Sequence, residues 1–182
     1  MALKSTIFKA ELQVSDLDRA HFATHALTLA RHPSETDERM MVRLLAFALD
    51  ADERLEFGRG LSTEGEPDLV LADLTGALEL WIDVGLPDER EIRKAAGRAR
   101  SVKVYLYGGR AAALWWRQNE GALGRLSNVR VLEVPEDISR SLAMAAQRSM
   151  RVDCTIQDGE IWWSVAGSDT LHFRPVVLKE AA

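Results

Sequence analysis

Residues 78–107 limit the possible folds more than any other part of this sequence, because a short apolar run, a basic segment and a second apolar run follow one another there. The first run is Leu78–Val84, an acidic turn with Asp88 starts a helix, and residues 102–107 form the second run. A strand, a helix of about a dozen residues and another strand are typical of a βαβ crossover, whose strands are parallel neighbours. The sequence therefore predicts an α/β fold with a parallel strand pair.

A second strand pair is predicted immediately before this unit. Asp68 opens a short apolar run, and a turn signal connects that run to Leu78–Val84, which indicates a β-hairpin and makes the sheet mixed. If Thr75 and Gly76 form a two-residue turn, Asp68 stands directly opposite Asp83, with Cβ atoms roughly 5 Å apart. Like charges placed in this way destabilise a sheet unless a cation lies between them, and a divalent metal ion held by oxygen ligands is the usual cation. The sequence thus predicts a metal site at the two aspartates.

The remaining segments extend this α/β pattern. A helix is predicted after Ser34, which forms a capping box with Asp37, and residues 21–30 fit either a strand or a helix. Further strands are predicted at residues 6–14, 128–134 and 171–178, further helices at 110–118 and from 135 to about 149, and a second hairpin at 150–165. No repeat or long linker is visible, so we expect a single domain over residues 1–182.

Charge and cysteine content exclude several classes of protein. The formal net charge is −5, so any site for nucleic acid would have to be a local patch. Only one cysteine is present, Cys154, which rules out an internal disulfide and is predicted to be a small buried apolar residue. No N-terminal apolar stretch resembles a signal peptide or a membrane span, so we expect a cytoplasmic protein without a membrane partner.

Several segments, spread over nearly the whole chain and in a constant order, carry a family resemblance. They are residues 32–41 (HPSETDERMM), 56–62 (EFGRGLS), 80–85 (LWIDVG), 92–95 (IRKA), 104–105 (VY), 107–108 (YG) and 154–159 (CTIQDG). These segments resemble the bacterial YaeQ family. The order of Pro-Asp, hairpin, Asp-x-Gly, basic helix and strand resembles the PD-(D/E)XK nuclease superfamily. The resemblance implies a restriction-endonuclease-like mixed β-sheet flanked by helices, with a nuclease-like core at about 34–134 and a C-terminal extension of a helix and a β-hairpin at about 135–182.

The chemistry of that superfamily gives the two aspartates a role. The resemblance implies that Asp68 and Asp83 hold Mg²⁺ or Mn²⁺, which polarises a phosphodiester and lowers the pKa of an attacking water. A lysine two residues beyond the second acid normally stabilises the developing negative charge, but Gly85 occupies that position here.

Basic residues on the following helix are the candidates to replace the missing lysine. Arg93 and Lys94 are ranked above Lys103, which is expected at the strand end remote from the carboxylates. The alternative is a solvated basic face paired with Glu89 and Glu91. The aspartates also have an alternative role, in which one caps a turn and the other pairs with Arg93.

Glu38 is the candidate third metal ligand. It lies at the margin of the inward face of the predicted first helix, and related nuclease cores often bring an acid from this helix to the metal. The alternative is that Glu38 only interacts favourably with the helix dipole, a role that Glu35 and Asp37 would fill equally well.

Other polar and aromatic residues are weaker candidates. His21 and His25 are expected to share a face only in a helix, and no familiar zinc spacing includes them. At least one tryptophan of each adjacent pair, 115–116 and 162–163, is predicted to be buried rather than to stack on bases. The segment 58–60 (GRG) could approach a phosphate, although this spacing is common in plain turns.

Three functions remain open from the sequence. The first is a metal-dependent phosphodiesterase acting on nucleic acid, with Asp68 and Asp83 as metal ligands and Glu38 assisting. The second is a catalytically inactive nuclease-fold module that binds nucleic acid or a protein partner; Gly85 favours it, and the negative net charge favours a protein partner over DNA. The third is a structural or interaction protein with a surface salt-bridge network and no affinity for cations.

Overall fold

The computed structural model describes residues 4–59 and 65–182. The strands are β1 (Thr6–Asp16), β2 (His21–Arg31), β3 (Leu55–Phe57), β4 (Leu69–Ala72), β5 (Leu78–Val84), β6 (Ala99–Leu106), β7 (Val129–Glu133), β8 (Ser149–Gln157), β9 (Glu160–Val165), β10 (Leu171–Phe173) and β11 (Val176–Lys179). The helices are α1 (Asp37–Leu49), α2 (Glu89–Arg98), α3 (Arg110–Leu123) and α4 (Glu136–Met144).

The described residues form two mixed β-sheets. One has six strands in the order β11-β7-β6-β5-β4-β3, with β5, β6 and β7 parallel and the other pairs antiparallel. The other has five strands in the order β10-β9-β8-β1-β2, in which only β1 and β8 are parallel. The parallel pairing of β5 and β6 confirms the crossover that residues 78–107 predict.

Helix α1 is buried between the two sheets. Residues 40–48 are all buried, and they belong to a core that also contains the inward residues of β1, β8 and β9 and one face of the six-stranded sheet. The opposite face of the six-stranded sheet packs against α2 and α3 in a separate apolar cluster. A helix that is apolar nearly all round is stable only when both of its sides are covered. Arg43, within this run, is therefore exceptional and has to be paired.

The register of the β4–β5 hairpin agrees with the sequence prediction, although its turn does not. Leu69 pairs with Ile82, and Asp68 donates its backbone N–H to the Ile82 carbonyl at 2.9 Å, so Asp68 stands opposite Asp83. The turn is not the predicted two-residue turn, because residues 73–77 are all outside the strands. Asp73 accepts hydrogen bonds from two backbone N–H groups of this loop. The strand register shifts between Leu71 and Ala72, just before the loop, which indicates a β-bulge.

The sequence predicted one central sheet, and this was wrong because the described chain has two. The predicted C-terminal hairpin exists as β8 and β9, but β8 pairs with β1 and lies in the middle of the five-stranded sheet. The strand predicted at residues 171–178 is divided into β10 and β11, which belong to different sheets. Pro175 lies between them, where a residue without a backbone N–H interrupts strand pairing.

One local prediction needs correction, and one assignment that the sequence left open is decided. The side chain that caps α1 belongs to Thr36, whose Oγ1 accepts the Arg39 backbone N–H at 3.1 Å, and not to Ser34. Residues 21–31 are a strand, β2. Among the helices of the described residues, none is both long and apolar enough to cross a membrane.

Candidate functional site

A pocket of about 370 Å³ opens at the carboxyl ends of β5 and β6. Asp68 enters it from the start of β4, Asp83 from the end of β5, Arg39 from the first turn of α1, and Glu91 from α2. The crevice beyond the carboxyl ends of parallel strands is the usual ligand site of open α/β sheets. The two aspartates therefore share one pocket, as the hairpin register predicts.

Asp68 is held by two strong hydrogen bonds. Its Oδ1 accepts from the Arg39 Nη2 at 2.7 Å, and its Oδ2 accepts from the Val84 backbone N–H at 2.7 Å. Hydrogen bonds of this length to a charged group are among the strongest in proteins. They fix the carboxylate against the end of β5 and keep it close to Asp83.

Arg39 belongs to a network of four charged side chains that balance each other. Its Nη1 donates to Glu35 Oε1 at 3.0 Å, and the same glutamate accepts from Arg43 Nε at 2.7 Å and from Arg43 Nη2 at 2.8 Å. Glu35 and Arg43 are both buried. The network thus contains two acids and two bases, with Asp68 at its end, and no positive charge is left over for Asp83.

Asp83 is the uncompensated carboxylate of the pocket. It is 8% exposed, and its Oδ1 accepts a hydrogen bond from Trp81 Nε1 at 3.0 Å. No salt bridge joins it to a basic residue in the described part of the chain. Burial, together with the negative charge of Asp68, raises the pKa of Asp83 to about 7. Asp83 is therefore fully ionised only above about pH 7, where the two aspartates are a pair of negative charges without a second base.

A guanidinium from α1 lies beside the position of the missing lysine. Gly85 has a φ of +102°, so a side chain there would be strained, and a Cβ built on it would lie 4.0 Å from the Arg39 Nε. The same Cβ would lie 3.9 Å from Tyr107 Cε1. Strand β5 therefore ends in a bend at Gly85. If the strand continued and carried a lysine here, the lysine would lie close to the guanidinium of Arg39, which brings a positive charge to the same space.

Arg93 and Lys94 lie outside the aspartate pocket. The Arg93 Nη2 pairs with Glu89 at 2.5 Å and the Lys94 Nζ pairs with Glu91 at 2.8 Å, on an exposed face of α2. These are the partners that the alternative interpretation named. Both basic residues instead line a neighbouring cleft of about 620 Å³ that shares Trp81 and Glu91 with the pocket. Their predicted catalytic role therefore has no contact with the aspartates to support it in this structure.

Glu38 and Lys103 are also placed away from the two aspartates. Glu38 Oε1 accepts a hydrogen bond from Ser139 Oγ of α4 at 2.7 Å and does not line the pocket. Among the described residues, no cluster of three or more histidine, cysteine or acidic side chains has the geometry to hold a metal ion. Lys103 pairs with Asp50 at the far end of α1. The prediction that it lies at the strand end remote from the aspartates was wrong, because Lys103 pairs in register with Ile82, next to Asp83. It is separated from the aspartates because successive residues of a strand point to opposite faces of the sheet. The structure thus brings together Asp68 and Asp83 but not Glu38.

The histidine prediction was wrong in its geometry. His21 and His25 share a face of strand β2, since residues four apart in a strand also point the same way. Their Nε2 atoms are 3.1 Å apart in nearly parallel rings. The ring centroids are 5.4 Å apart, which is the Nε2–Nε2 distance plus about one ring radius on each side. The two rings therefore meet end to end through their nitrogens, in an N–H···N hydrogen bond.

The predictions for the aromatic residues, the cysteine and the glycine loop have simple outcomes. Trp163 is buried and Trp162 is exposed and stacked on His172, as predicted for one member of this pair. The same prediction was wrong for Trp115 and Trp116, which are both only half-buried on α3. Cys154 is buried, and burial raises the pKa of its thiol to about 12. Gly58 is needed for a close backbone approach, because a Cβ there would lie 1.9 Å from the Pro67 carbonyl oxygen. Gly60, the other glycine of that segment, lies outside the described residues.

Arg39 is the residue of the candidate site that the sequence did not predict. The signal that could have identified it is the pair Arg39 and Arg43, four residues apart in a helix that is otherwise apolar from Met40 to Ala48. Arginines on an inward helix face need buried acids as partners, so this spacing indicates an ion-pair network. The sequence does not say which distant acid completes that network.

The fold and the pocket define this protein as a mixed α/β protein with an acidic cleft at the carboxyl ends of its parallel strands. Comparison with known proteins identifies the family. The family model described as YaeQ protein matches residues 1–173. The chain therefore belongs to the YaeQ family.

Individual relatives and solved structures agree with this assignment. The chain is 50% identical to the protein called "Uncharacterized protein YaeQ" of Salmonella typhi over 166 residues, 91% of this chain and 92% of that protein. It is 48% identical to the protein of the same description in Escherichia coli strain K12 over 164 residues, 90% and 91% of the two chains. The crystal structure of YaeQ protein from Xanthomonas axonopodis pv. citri has a TM-score of 0.92 at 51% identity and covers 96% of this chain and 98% of that one. The crystal structure of YaeQ protein from Pseudomonas syringae has the same TM-score at 35% identity, with 97% of each chain covered.

Proposed function

We propose that this protein is a Mg²⁺- or Mn²⁺-dependent phosphodiesterase that acts on nucleic acid, with Asp68 and Asp83 as the metal ligands. The observation that carries the proposal is the charge of Asp83, which no basic side chain of the described network balances. Burial, and next to it the negative charge of Asp68, raise the pKa of Asp83 to about 7, and a divalent cation between the two carboxylates would offset both effects.

The donor atoms of the pocket suit a hard divalent cation. In the described residues, Asp83 Oδ2 has no hydrogen-bond partner, and each Asp68 oxygen keeps a second lone pair beside its hydrogen bond. Magnesium is commonly bound by one or two carboxylates, with water and substrate phosphate oxygens as the other ligands. Two aspartates in an open pocket therefore suffice, although the described residues supply no third acidic ligand.

The order of the motifs also supports the proposal. Pro67-Asp68, the hairpin, Asp83 with Gly85, and the basic helix α2 resemble the restriction-endonuclease-like core of the PD-(D/E)XK superfamily. In that superfamily the metal ion polarises the phosphodiester and lowers the pKa of the attacking water. Arg39 would hold Asp68 in place and supply positive charge near the phosphate, in the space left by the missing lysine.

The cleft beside the pocket would offer nucleic acid a local basic surface despite the negative net charge. Arg93, Lys94 and Arg98 line this cleft, and Arg98 lies over the Trp81 ring at 5.3 Å from its centroid. Exposed basic side chains contact phosphates and contribute affinity that falls with salt concentration. We therefore assign Arg93 and Lys94 to phosphate binding next to the metal pocket, and this role is part of the proposal.

Metal binding is the first test of the proposal. Titration calorimetry with Mn²⁺ and Mg²⁺ at pH 8 should give a measurable isotherm for the wild type and none for Asp83→Asn, which retains an acceptor for Trp81 and removes the charge. Asp153→Asn removes one exposed carboxylate on β8 and should behave as the wild type. Equal isotherms for the wild type and Asp83→Asn would contradict the proposed site.

Cleavage is the second test. Single- and double-stranded DNA and RNA should be incubated with Mn²⁺ and with the wild type, Asp83→Asn or Asp153→Asn. Hydrolysis should be lost in Asp83→Asn and kept in Asp153→Asn.

A second candidate function is a non-catalytic module that binds nucleic acid or a protein partner. It is favoured by Gly85 and by the engagement of both Asp68 oxygens. Metal binding without cleavage of any of these substrates would favour this module.

A further inference from the structure

A separate cavity of about 320 Å³ lies between the two sheets at the opposite end of α1. It is next to Leu49, the last residue of the helix, which is about 15 Å along the helix axis from Arg39. Lys103 and Arg130 enter it from the six-stranded sheet, and Ile161 enters from the five-stranded sheet. The cavity shares no lining residue with the aspartate pocket.

Lys103 and Arg130 form a like-charged pair across two parallel strands. They are paired positions of β6 and β7, and both side chains line the cavity. Neighbouring cations on one face of a sheet destabilise it unless each has a negative partner. The nature of those two partners therefore decides what the cavity can bind.

The partner of Lys103 is permanent. Its Nζ pairs with Asp50, the residue that caps the C-terminal end of α1, and Asp50 Oδ2 also accepts the Tyr105 hydroxyl at 2.7 Å. Asp50 and Tyr105 are both buried. Displacement of Asp50 would leave the Lys103 ammonium and the Tyr105 hydroxyl without partners, which is costly. Asp50 is therefore a fixed part of the cavity wall.

The partner of Arg130 is easily displaced. Glu180, which follows β11, is 64% exposed, and its Oε1 accepts from Arg130 Nη2 at 3.1 Å. Its Oε2 is 2.8 Å from Arg130 Nε, but the N–H does not point at the oxygen, so this buried donor has no hydrogen-bond acceptor in the described structure. Glu180 thus neutralises the charge of Arg130 but accepts only one hydrogen bond from it, whereas a bidentate contact would have two.

The third cation of the cavity is held by the β8–β9 hairpin. Arg174 donates to Glu160 Oε1 at 3.0 Å and to the Asp158 carbonyl at 2.8 Å. With Asp50 and Glu160 matched to Lys103 and Arg174, the charge of Arg130 is met by Glu180 alone. Displacement of Glu180 would expose one net positive charge on rigid strands. The rest of the lining is mainly apolar and comes from both sheets and from the residue between β10 and β11: Leu132, Ile156, Ile161, Val177 and Pro175.

We propose that this cavity is a binding site for a small anion with a phosphate or carboxylate head and an apolar body, and that Glu180 occupies the head-group position in the free protein. The head group would accept from both Arg130 Nε and Nη2, which a planar carboxylate or a phosphate can do and Glu180 does not. The apolar body would lie against Leu132 and Ile161. The family match ends at residue 173, so Arg174 and Glu180 lie beyond the residues that it covers.

Titration of defined anions into the whole protein tests this site. The probes are phenyl phosphate, benzoate and inorganic phosphate, and the affinity is followed by chemical shift changes of the Arg130 and Leu132 amides. Glu180→Gln removes the competing carboxylate and should tighten the apolar anions about fivefold. Arg130→Gln should weaken them at least about tenfold, and Arg130→Lys should also weaken them because lysine cannot make the bidentate contact.

A control variant and the choice of probe separate the outcomes. Glu11→Gln removes one exposed carboxylate from β1, changes the net charge equally, and should leave every affinity unchanged. Equal affinities for Glu180→Gln and Glu11→Gln would overturn the proposal, as would the absence of binding of any probe to Glu180→Gln. Inorganic phosphate binding as tightly as phenyl phosphate would overturn the role of the apolar wall. Tighter binding of phenyl phosphate than of benzoate would assign the head group to phosphate, and the reverse would assign it to carboxylate.

Discussion

A pair of like charges on neighbouring strands lies at each end of α1, and the two pairs have opposite signs. At its N-terminal end the like-charged pair on neighbouring strands is acidic, Asp68 with Asp83, and the helix supplies the base Arg39. At its C-terminal end the pair is basic, Lys103 with Arg130, and the helix is capped by the acid Asp50. One buried helix thus neutralises one member of each pair.

The second members of the two pairs, Asp83 and Arg130, differ in whether they have an oppositely charged partner. Asp83 has no cationic partner in the described residues and its pKa rises to about 7, whereas Arg130 has a partner in Glu180, which is mostly exposed. An uncompensated buried charge is costly and favours a counter-ion from solution, while an exposed ion pair contributes little and can be exchanged. We therefore expect ligands to bind where a charge has no partner or a weakly held one, and not wherever charged residues are present.

Removal of Arg39 should have the largest effect on stability. Arg39→Ala leaves Asp68 and Glu35 without a shared base in a buried network, and breaking such a pair costs about 3–5 kcal/mol of the free energy of unfolding. Urea denaturation at pH 7 measures this loss. Arg90→Ala, which removes an exposed partner of Asp88, should leave the free energy of unfolding nearly unchanged. Similar losses in the two variants would show that the Arg39 network is not the structural contact we describe.

Replacement of Asp83 should stabilise the protein in a pH-dependent manner. Because its pKa rises from 3.8 in the unfolded chain to about 7, the fold gains stability from the protonated acid below about pH 4 and loses it as pH rises through 7. Full ionisation costs the folded state about 4 kcal/mol. Asp83→Asn should therefore be close to wild type at pH 4 and up to about 4 kcal/mol more stable at pH 8, without metal. A difference that does not change with pH between 4 and 8 would refute the assigned ionisation.

Metal binding should sharpen the same contrast. At a concentration of Mn²⁺ 100 times its dissociation constant, the wild type should gain about 2.7 kcal/mol at pH 8, measured as a rise in the thermal unfolding midpoint. The gain should shrink below pH 7, where a proton on Asp83 competes with the metal. Asp83→Asn should show no gain at either pH, and a gain that persists in this variant would place the metal elsewhere.

Removal of the counter-charge at the other end of α1 should have the smallest effect. Glu180→Gln breaks an ion pair whose acid is mostly exposed, and such pairs contribute about 0–1 kcal/mol. Urea denaturation of this variant beside Arg39→Ala compares the two ends directly. A loss from Glu180→Gln as large as that from Arg39→Ala would mean that Glu180 is a fixed part of the structure and not a displaceable occupant.

The sequence predicted the parts of the fold that depend on neighbouring residues. The β5–α2–β6 crossover, the start of α2 after Asp88 and the β8–β9 hairpin all follow from short-range periodicity and turn residues. The register of the Asp68 hairpin also followed, even though its turn is longer than predicted. The existence of a second sheet did not follow, because the parallel pairing of β1 with β8 joins segments more than 100 residues apart.

The sequence by itself determined that Asp68 and Asp83 face each other, since a hairpin fixes its own register within about fifteen residues. Only the tertiary structure decided which charges meet that pair: Arg39 reaches Asp68 across 29 positions, and Lys103 reaches Asp50 across 53. Arg93 and Lys94 were reasonable candidates by proximity in the chain, yet they pair with their own helix. The physical reason is that periodicity specifies the direction of a side chain, whereas its partner depends on how α1 is buried between the two sheets.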